Sequence, residues 1–296
     1  MAKTARVIRR YLTEDQWKSR KDLKFLADFA RRSNGELDFF LRQNRISLYH
    51  KGNHVCTVSF RPHRDRYQVS FTNRFLEIAE LVEERRGKSC IKGCLATEKP
   101  SGTYLKGLDS GELRRVLDIE LIETIMAAIR YHDYGGEISF EQLLMTQNPP
   151  TPEFMVLDRQ VSDSGLKRKR MDVLAIRRVG KIGNKYRFCI IEIKLGHNRD
   201  LDGKVLDQLD AYVKHIQGNK QVAQDYKECY EYQYKQLKWF KVIKGHGLPD
   251  AINIKTDRIH KMVVVGYGGP DTARAIRVLK QLASDTEFRQ IEFGLC

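Results

Sequence analysis

The sequence lacks the features that mark membrane, secreted and zinc-finger proteins. None of its apolar runs reaches the 18 residues that indicate a transmembrane helix. The first residues, MAKTARVIRRYLTEDQW, have no continuous apolar core of the kind found in secretory signals. The six cysteines form no disulfide framework, and Cys90 and Cys94 lack the further ligands that a zinc site needs. We expect an intracellular, cytoplasmic protein with reduced thiols and no membrane partner.

Nucleotide-binding motifs are absent as well. The chain contains neither GxxxxGK[ST] nor GxGxxG. The run GYGGPD at 266–271 follows an apolar segment and predicts a strand-to-helix turn rather than a phosphate loop. The histidines show no spacing typical of a metal triad. These absences exclude the commonest nucleotide-binding and zinc-dependent classes.

Acidic residues are too few to balance the basic ones. The chain has 53 Lys and Arg against 38 Asp and Glu, which gives a formal net charge of +15. Residues 1–100 carry 22 basic and 12 acidic side chains and contribute +10 of that charge. A basic surplus of this size favours a polyanionic partner, and nucleic acid is the commonest one.

The first hundred residues predict a small basic α+β module. A helical spacing of apolar residues covers 14–33, and a second helix is predicted over 73–86. Between them lie four short strand patterns separated by turn residues: 37–41, 46–49, 54–60 and 67–71. Residues 87–111 are rich in Gly, Ser, Lys and Thr and indicate a boundary. We therefore assign residues 1–105 to a module that binds nucleic acid or a partner.

The remainder predicts an α/β domain over residues 106–296. A capping-box pattern at Asp109–Glu112 starts one long helix, predicted over 113–131. The strands predicted after it are 153–161, 171–176, 186–195 and 261–267, with a hairpin turn at 180–184. Further helices are predicted over 201–216, 220–242 and 273–283. This order describes a mixed sheet flanked by helices.

Three charged residues stand on the two strands that the hairpin joins. Strand alternation places Glu192 and Lys194 on one face, and Asp172 at the matching end of the neighbouring strand. Two close carboxylates remain ionised only beside a cation. A hard ion such as Mg²⁺ (or Mn²⁺) suits them, with the Ile193 carbonyl as a further ligand. Lys194 would hold the attacking water or stabilise charge that develops on a phosphate.

The pattern of Asp172 followed by Glu192-Ile193-Lys194 resembles the PD-(D/E)XK nuclease superfamily, over residues 110–280. Met171 stands where the family usually has proline. The resemblance implies a restriction-endonuclease-like fold behind the basic module. It also implies a metal-dependent enzyme that hydrolyses DNA phosphodiester bonds, with Asp172 and Glu192 as metal ligands and Lys194 as the catalytic lysine.

Further residues agree with this resemblance. Gln208 and Tyr212 match the Q-x-x-x-Y pattern that follows the ExK strand in one branch of the family, where they position substrate or support the metal ligands. Family members also supply an acid from the helix before the sheet. Glu120 is preferred because it shares a helix stripe with apolar residues, and Glu123 is held in reserve. A basic run just before Asp172 is expected to contact the phosphate backbone: Lys167, Arg168, Lys169 and Arg170.

Other functions remain open from the sequence. A Glu–Lys pair at a sheet edge can also be a satisfied ion pair without catalysis, which predicts an inactive nucleic-acid-binding protein of the same fold. RNA is the alternative substrate. The resemblance fits DNA processing, restriction or defence against mobile DNA equally well. A homodimer also stays open, since nucleases that cut both strands are often dimers.

Overall fold

A computed structural model describes residues 8–12, 17, 20–60, 66–77, 96–99, 102–132, 136–166, 169–266 and 270–291. This part of the chain has an α/β fold with two sheets. The helices are α1 (Lys24–Arg32), α2 (Ser110–Val116), α3 (Ile119–Tyr131), α4 (Gly136–Gln147), α5 (Lys204–Gln217), α6 (Lys220–Trp239) and α7 (Pro270–Leu282). The strands are β1 (Leu37–Arg42), β2 (Arg45–His50), β3 (Asn53–Phe60), β4 (Tyr67–Phe71), β5 (Ala96–Lys99), β6 (Gly102–Leu108), β7 (Phe154–Ser162), β8 (Arg170–Arg178), β9 (Lys185–Leu195), β10 (Asn253–Gly266) and β11 (Thr286–Ile291).

The chain divides into two compact units. The amino-terminal unit comprises Arg9–Gln142 and Trp239–Val242, and the carboxy-terminal unit is built mainly from Leu143–Lys238 and Ile243–Cys296. The predicted boundary between residues 105 and 106 falls inside the amino-terminal unit. The reason is that α2 contacts β4 and β6, and α3 contacts β3, so both helices belong with the first sheet.

The amino-terminal unit contains a six-stranded antiparallel sheet in the order β1-β2-β3-β4-β6-β5. One face carries apolar side chains that pack in the core, among them Phe39, Leu48 and Val58. The side chains at the alternate positions of each strand point to the other face and are polar, basic or aromatic. The predicted strands correspond to β1–β4. Composition assigned residues 87–111 to a boundary, but β5 and β6 lie there and extend the sheet.

The carboxy-terminal unit contains a five-stranded mixed sheet in the order β11-β10-β9-β8-β7. Strands β7, β8 and β9 form an antiparallel meander, and β9, β10 and β11 run parallel. The predicted hairpin turn joins β8 to β9, with Gly180 and Gly183 at φ values of +81° and +109° that favour glycine. Helix α4 and strand β11 have no counterpart among the elements predicted from the sequence.

Strand β9 lies at the centre of this sheet and is buried on both faces, which explains its nearly continuous apolar sequence. Helix α5 contacts β9 and β10. Phe188 is fully buried, and its ring makes edge contacts with Tyr226 and Tyr230 of α6. Within the described part of the chain, no helix combines the length and apolar character needed to cross a bilayer.

We predict that Phe188→Ala lowers the free energy of unfolding by about 3–5 kcal/mol, because it leaves a cavity beneath two tyrosine rings. Urea denaturation followed by circular dichroism measures the change. Ile182→Ala, in the β8–β9 turn, is the matched control. The Ile182 side chain is 92% exposed, so its truncation is expected to change stability by less than about 0.5 kcal/mol. Equal losses in the two variants would contradict this account of the core.

Candidate functional site

Strands β8 and β9 place Asp172 and Glu192 side by side at one end of the mixed sheet. The last pair of the antiparallel ladder is Val173 with Ile191, and the same register one residue further sets Asp172 against Glu192. The backbone N–H of Ile193 donates a hydrogen bond of 2.9 Å to Asp172 Oδ2. A carboxylate oxygen therefore takes the place of a backbone carbonyl where the ladder ends, and this contact fixes the Asp172 side chain.

Lys194 joins the two carboxylates. Its Nζ donates a hydrogen bond of 2.9 Å to Glu192 Oε2 and lies 3.9 Å from Asp172 Oδ2. The side chains of Glu192 and Lys194 are 2% and 8% exposed, and that of Asp172 is 22% exposed. One lysine thus faces one buried and one partly exposed carboxylate, and the cluster holds one more negative charge than positive when all three groups are ionised.

The environment of Glu192 sets its protonation. Burial raises the pKa of Glu192 above its usual range, and the charge of Lys194 and hydrogen bonds with Lys194 and Asp172 oppose that rise. Desolvation outweighs these opposing effects together, and the net direction of the Glu192 pKa shift is upward. A further cation near Glu192 would offset the desolvation and favour the ionised carboxylate.

Tyr212 of α5 supports this cluster from the helix side of the sheet. Its hydroxyl donates a hydrogen bond of 2.7 Å to the Arg170 carbonyl, at the start of β8. Burial raises the pKa of Tyr212, and the charges of Glu192 and Asp172 raise it further. The side chain is only 2% exposed. Burial and the hydrogen bond to the Arg170 carbonyl give Tyr212 a role in positioning β8, and its contact with nucleic acid stays a prediction.

Two buried side-chain oxygens at or near the cluster have an unused capacity to bind. Glu192 Oε1 and Gln208 Oε1 are shielded from solvent and accept no hydrogen bond from the residues that the structure describes. Gln208 lies one turn before Tyr212 on α5, as the Q-x-x-x-Y pattern requires. Buried oxygens without a donor are costly, so a ligand or water that satisfies them is expected.

The donor set fits a hard divalent cation. Asp172 and Glu192 supply carboxylate oxygens. The Ile193 carbonyl points to the same side as its N–H, which faces Asp172. Mg²⁺ is commonly held by one or two carboxylates and keeps several waters. The described residues contain no group of three or more His, Cys, Asp or Glu side chains that would hold a metal, so at this site the protein would supply two carboxylates and neutral oxygens.

Glu120 does not point inward as predicted, and both Glu120 and Glu123 are exposed on α3 in the amino-terminal unit. The prediction assumed an apolar stripe along one continuous helix. In the structure the chain breaks at Leu117, and Asp118 caps a new helix by accepting a hydrogen bond from the Leu121 N–H. The break changes the helical phase, and Glu120 then lies on the exposed side of the first turn of α3.

The predicted basic run before β8 is partly described. Lys167 and Arg168 lie outside the described residues. Lys169 and Arg170 are exposed, and Arg170 shares its strand face with Asp172 because the two are two positions apart. Contact of these side chains with a phosphate backbone stays a prediction.

A side-chain pair that was not predicted from the sequence, Asp163 with His215, holds the connection between β7 and β8. Asp163 Oδ2 lies 3.0 Å from His215 Nε2 of α5, and the Tyr226 hydroxyl donates to the same oxygen at 3.3 Å. Gly165 packs so closely that a Cβ there would lie 2.3 Å from the His215 ring. No spacing rule links positions 52 residues apart, so the sequence carried no signal for this pair.

An apolar cavity of this unit lies on the opposite face of the sheet. It has a volume of about 480 Å³ and is lined by Ile191 and Ile193 of β9, which alternate with the cluster residues. Its other lining residues include Val173, Met262 and Val264. The apolar cavity and the charged cluster thus share β9 but not a face, and the polar groups described above do not enter the cavity.

Comparison with known protein families, with curated proteins and with solved structures found no match for this chain.

We predict that the two variants Asp172→Ala and Asp172→Asn differ in stability. Alanine leaves the buried Ile193 N–H without an acceptor and lowers the free energy of unfolding by about 1–3 kcal/mol. Asparagine keeps an acceptor oxygen and is expected to cost less than half as much. Urea denaturation at pH 7 measures both values, and equal losses would show that the hydrogen bond has no structural role.

A second prediction concerns acid sensitivity. Burial alone would raise the pKa of Asp163, but hydrogen bonds from the Gly165 N–H, His215 and Tyr226 outweigh it, and the net shift is downward. The ionised form therefore stabilises the fold above the unfolded-state value of about 3.9, and this stabilisation disappears as the pH falls through the lower folded value. We expect wild type to exceed Asp163→Asn in urea midpoint at pH 6, with a difference that shrinks below about pH 4. A pH-independent difference would contradict this linkage.

Proposed function

We propose that this protein is a metal-dependent nuclease that hydrolyses phosphodiester bonds of DNA, in DNA processing, restriction or defence against mobile DNA. The buried cluster of Asp172, Glu192 and Lys194 carries the proposal. Two carboxylates and one lysine leave one negative charge for a bound cation to neutralise. The unsatisfied oxygens of Glu192 and Gln208 add neutral and anionic donors of the type that Mg²⁺ or Mn²⁺ prefers.

The architecture of the carboxy-terminal unit supports a restriction-endonuclease-like fold. An antiparallel meander, β7-β8-β9, precedes α5, and β10 then joins β9 in parallel. This is the strand and helix order that the resemblance to PD-(D/E)XK nucleases implies. Asp172 on β8 and the Glu-x-Lys pair on β9 occupy the strands on which that family carries its site.

Each side chain has a proposed task. A cation held by Asp172, Glu192 and the Ile193 carbonyl would supply Lewis-acid polarisation of the phosphate. Lys194 would donate a hydrogen bond to the phosphate oxygen on which negative charge develops, and its burial strengthens that interaction. Gln208 would orient the attacking water by accepting a hydrogen bond at Oε1. Tyr212 would position β8 through its hydrogen bond to the Arg170 carbonyl.

The charge of the protein supports a nucleic-acid substrate. The net charge of +15 favours a polyanion, and Lys169 and Arg170 are exposed next to the cluster. DNA is the substrate of the family that the motif resembles. The amino-terminal unit would add binding energy for nucleic acid, since residues 1–100 carry most of the excess positive charge.

One observation favours a second candidate function. Lys194 is already hydrogen-bonded to Glu192, as in a satisfied structural ion pair. A protein that kept this pair without catalysis would bind nucleic acid and cleave nothing. An RNA nuclease would use the same cluster on a different polymer, and both alternatives are outcomes of the experiment below.

We predict that the full-length protein cleaves linear, branched or single-stranded DNA with Mg²⁺ or Mn²⁺ and does not cleave it in EDTA. Lys194→Ala is expected to lower the cleavage rate by a factor of at least about 100, because it removes the cation that stabilises the developing charge. Asp172→Asn is expected to do the same while keeping the hydrogen bond to Ile193. Labelled substrates on denaturing gels measure both the rate and the product ends.

Lys185→Ala is the matched control, because Lys185 is an exposed lysine on the same strand. Its rate should stay within about twofold of wild type. Cleavage that survives EDTA, or that Lys194→Ala retains, would refute the proposed site. Tight binding without cleavage of any DNA or RNA would establish the binding-protein alternative, and cleavage of RNA alone would replace the substrate.

A further inference from the structure

The outer face of the amino-terminal sheet carries two regular rows of side chains, which take no part in the proposed site on β8 and β9. Helices cover one face of this sheet, and the strand register defines what the other face displays. Two transverse rows of side chains run across this outer face, and each row crosses five strands, from β1 to β6. Neighbouring strands lie about 4.8 Å apart, so each row is about 19 Å long, and the rows are about 7 Å apart along the strands.

The first row, which we name the basic row, is polar and cationic. The register pairs its residues one after another across the sheet: Arg42, Arg45, Ser59, Gln68 and Lys106. Arg45 and Lys106 are exposed, and the other three are partly exposed. The row contains three cations and no acid. Asp38 is the one acid on this face among the described residues of β1–β4 and β6.

The second row, which we name the aromatic row, has a ring at each end and hydroxyl groups between them. Its residues in register are Phe40, Ser47, Thr57, Ser70 and Tyr104. Both rings are partly exposed. The Ser47 and Thr57 side chains are buried, and their hydroxyls lie 2.7 Å apart. Hydroxyl side chains occupy three of the five positions of this row, whereas the opposite face carries apolar side chains.

Neighbouring side chains hold the Phe40 ring in place. Tyr49 makes an edge contact with Phe40, with ring centroids 5.4 Å apart, and a similar contact with His54. The Arg42 guanidinium lies 4.8 Å from the centroid of the Phe40 ring. Burial lowers the pKa of His54 to about 4, so this side chain is neutral at pH 7 and serves to bind Thr57 and Thr72. The Phe40 ring is thus pre-positioned at little entropic cost.

We propose that this sheet face binds single-stranded DNA, with the basic row on the phosphates and the aromatic row stacked on bases. A row of cations parallel to a row of rings matches the two parts of an unpaired strand, whose bases are free to stack. A duplex hides the faces of its bases and would use the basic row alone. This inference rests on the proposed nucleic-acid substrate and names the form of nucleic acid that the amino-terminal unit recognises.

The test measures the affinity of the full-length protein for a fluorescent 12-nucleotide thymidine strand by anisotropy, in EDTA to prevent cleavage. Arg45→Ala combined with Lys106→Ala is expected to weaken binding roughly tenfold. It should also reduce the slope of log affinity against log salt by about 1.4, because single strands lose about 0.7 per phosphate contact. Tyr104→Leu and Phe40→Leu are each expected to weaken binding roughly tenfold while leaving binding of a duplex unchanged.

The charge-matched control is Arg32→Ala combined with Arg115→Ala, two exposed cations of helices α1 and α2 that pack against the strands of the same unit. Thermal unfolding verifies that each variant is folded. Three results would overturn the proposal: an equal loss in the control, duplex binding as tight as single-strand binding, or unchanged affinity in both ring variants. Tighter binding of a uridine RNA strand would overturn the choice of DNA.

The binding assay separates this inference from the proposed nuclease activity. A protein that binds the strand through this face but cleaves nothing with Mg²⁺ would refute the nuclease activity and leave the inference standing. A nuclease whose affinity for the strand does not change in any sheet variant would refute the inference and leave the activity standing.

Discussion

The carboxy-terminal unit depends on one interaction, the contact of Lys194 with two carboxylates at the end of a buried strand. An ion pair with exposures of 2% and 8% is costly unless its hydrogen bonds are satisfied. Here the lysine binds Glu192, and Asp172 binds the backbone of β9. These two hydrogen bonds do not satisfy every carboxylate oxygen of the cluster, since Glu192 Oε1 has no donor among the described residues. This unsatisfied carboxylate oxygen is the feature of the fold that favours binding of the proposed cation.

The alternation of side chains along β9 separates two environments. Even-numbered positions from Phe188 to Lys194 face α5 and α6 and end in the charged cluster. Odd-numbered positions such as Ile191 and Ile193 line the apolar cavity on the reverse face. The apolar residues anchor the strand on both sides. A strand that moved little would hold the carboxylates at constant separation, which a metal site requires.

The same alternation explains how much of the fold was predictable. Strands β1–β4, the β8–β9 hairpin and β10 have strong period-two or continuous apolar patterns, and helices α5 and α6 have clear helical spacing. Strands β5 and β6 lie in a stretch rich in Gly, Ser, Lys and Thr, and only pairing with β4 makes it a sheet. The helix breaks at Leu117 because Asp118 caps a new helix. The sequence did not reveal this break, since the apolar spacing continues across it.

The sequence by itself determined the identity of the cluster, because the positions of Asp172, Glu192 and Lys194 on two strands joined by a short turn follow from local patterns. It also determined the helical spacing of Gln208 and Tyr212. Tertiary structure decided what local patterns cannot encode. It assigned α2 and α3 to the amino-terminal unit, directed the Tyr212 hydroxyl to a carbonyl 42 residues away, and paired His215 with Asp163 across 52 residues. The physical reason is that such contacts depend on strand register and helix packing, which are set only when the whole core assembles.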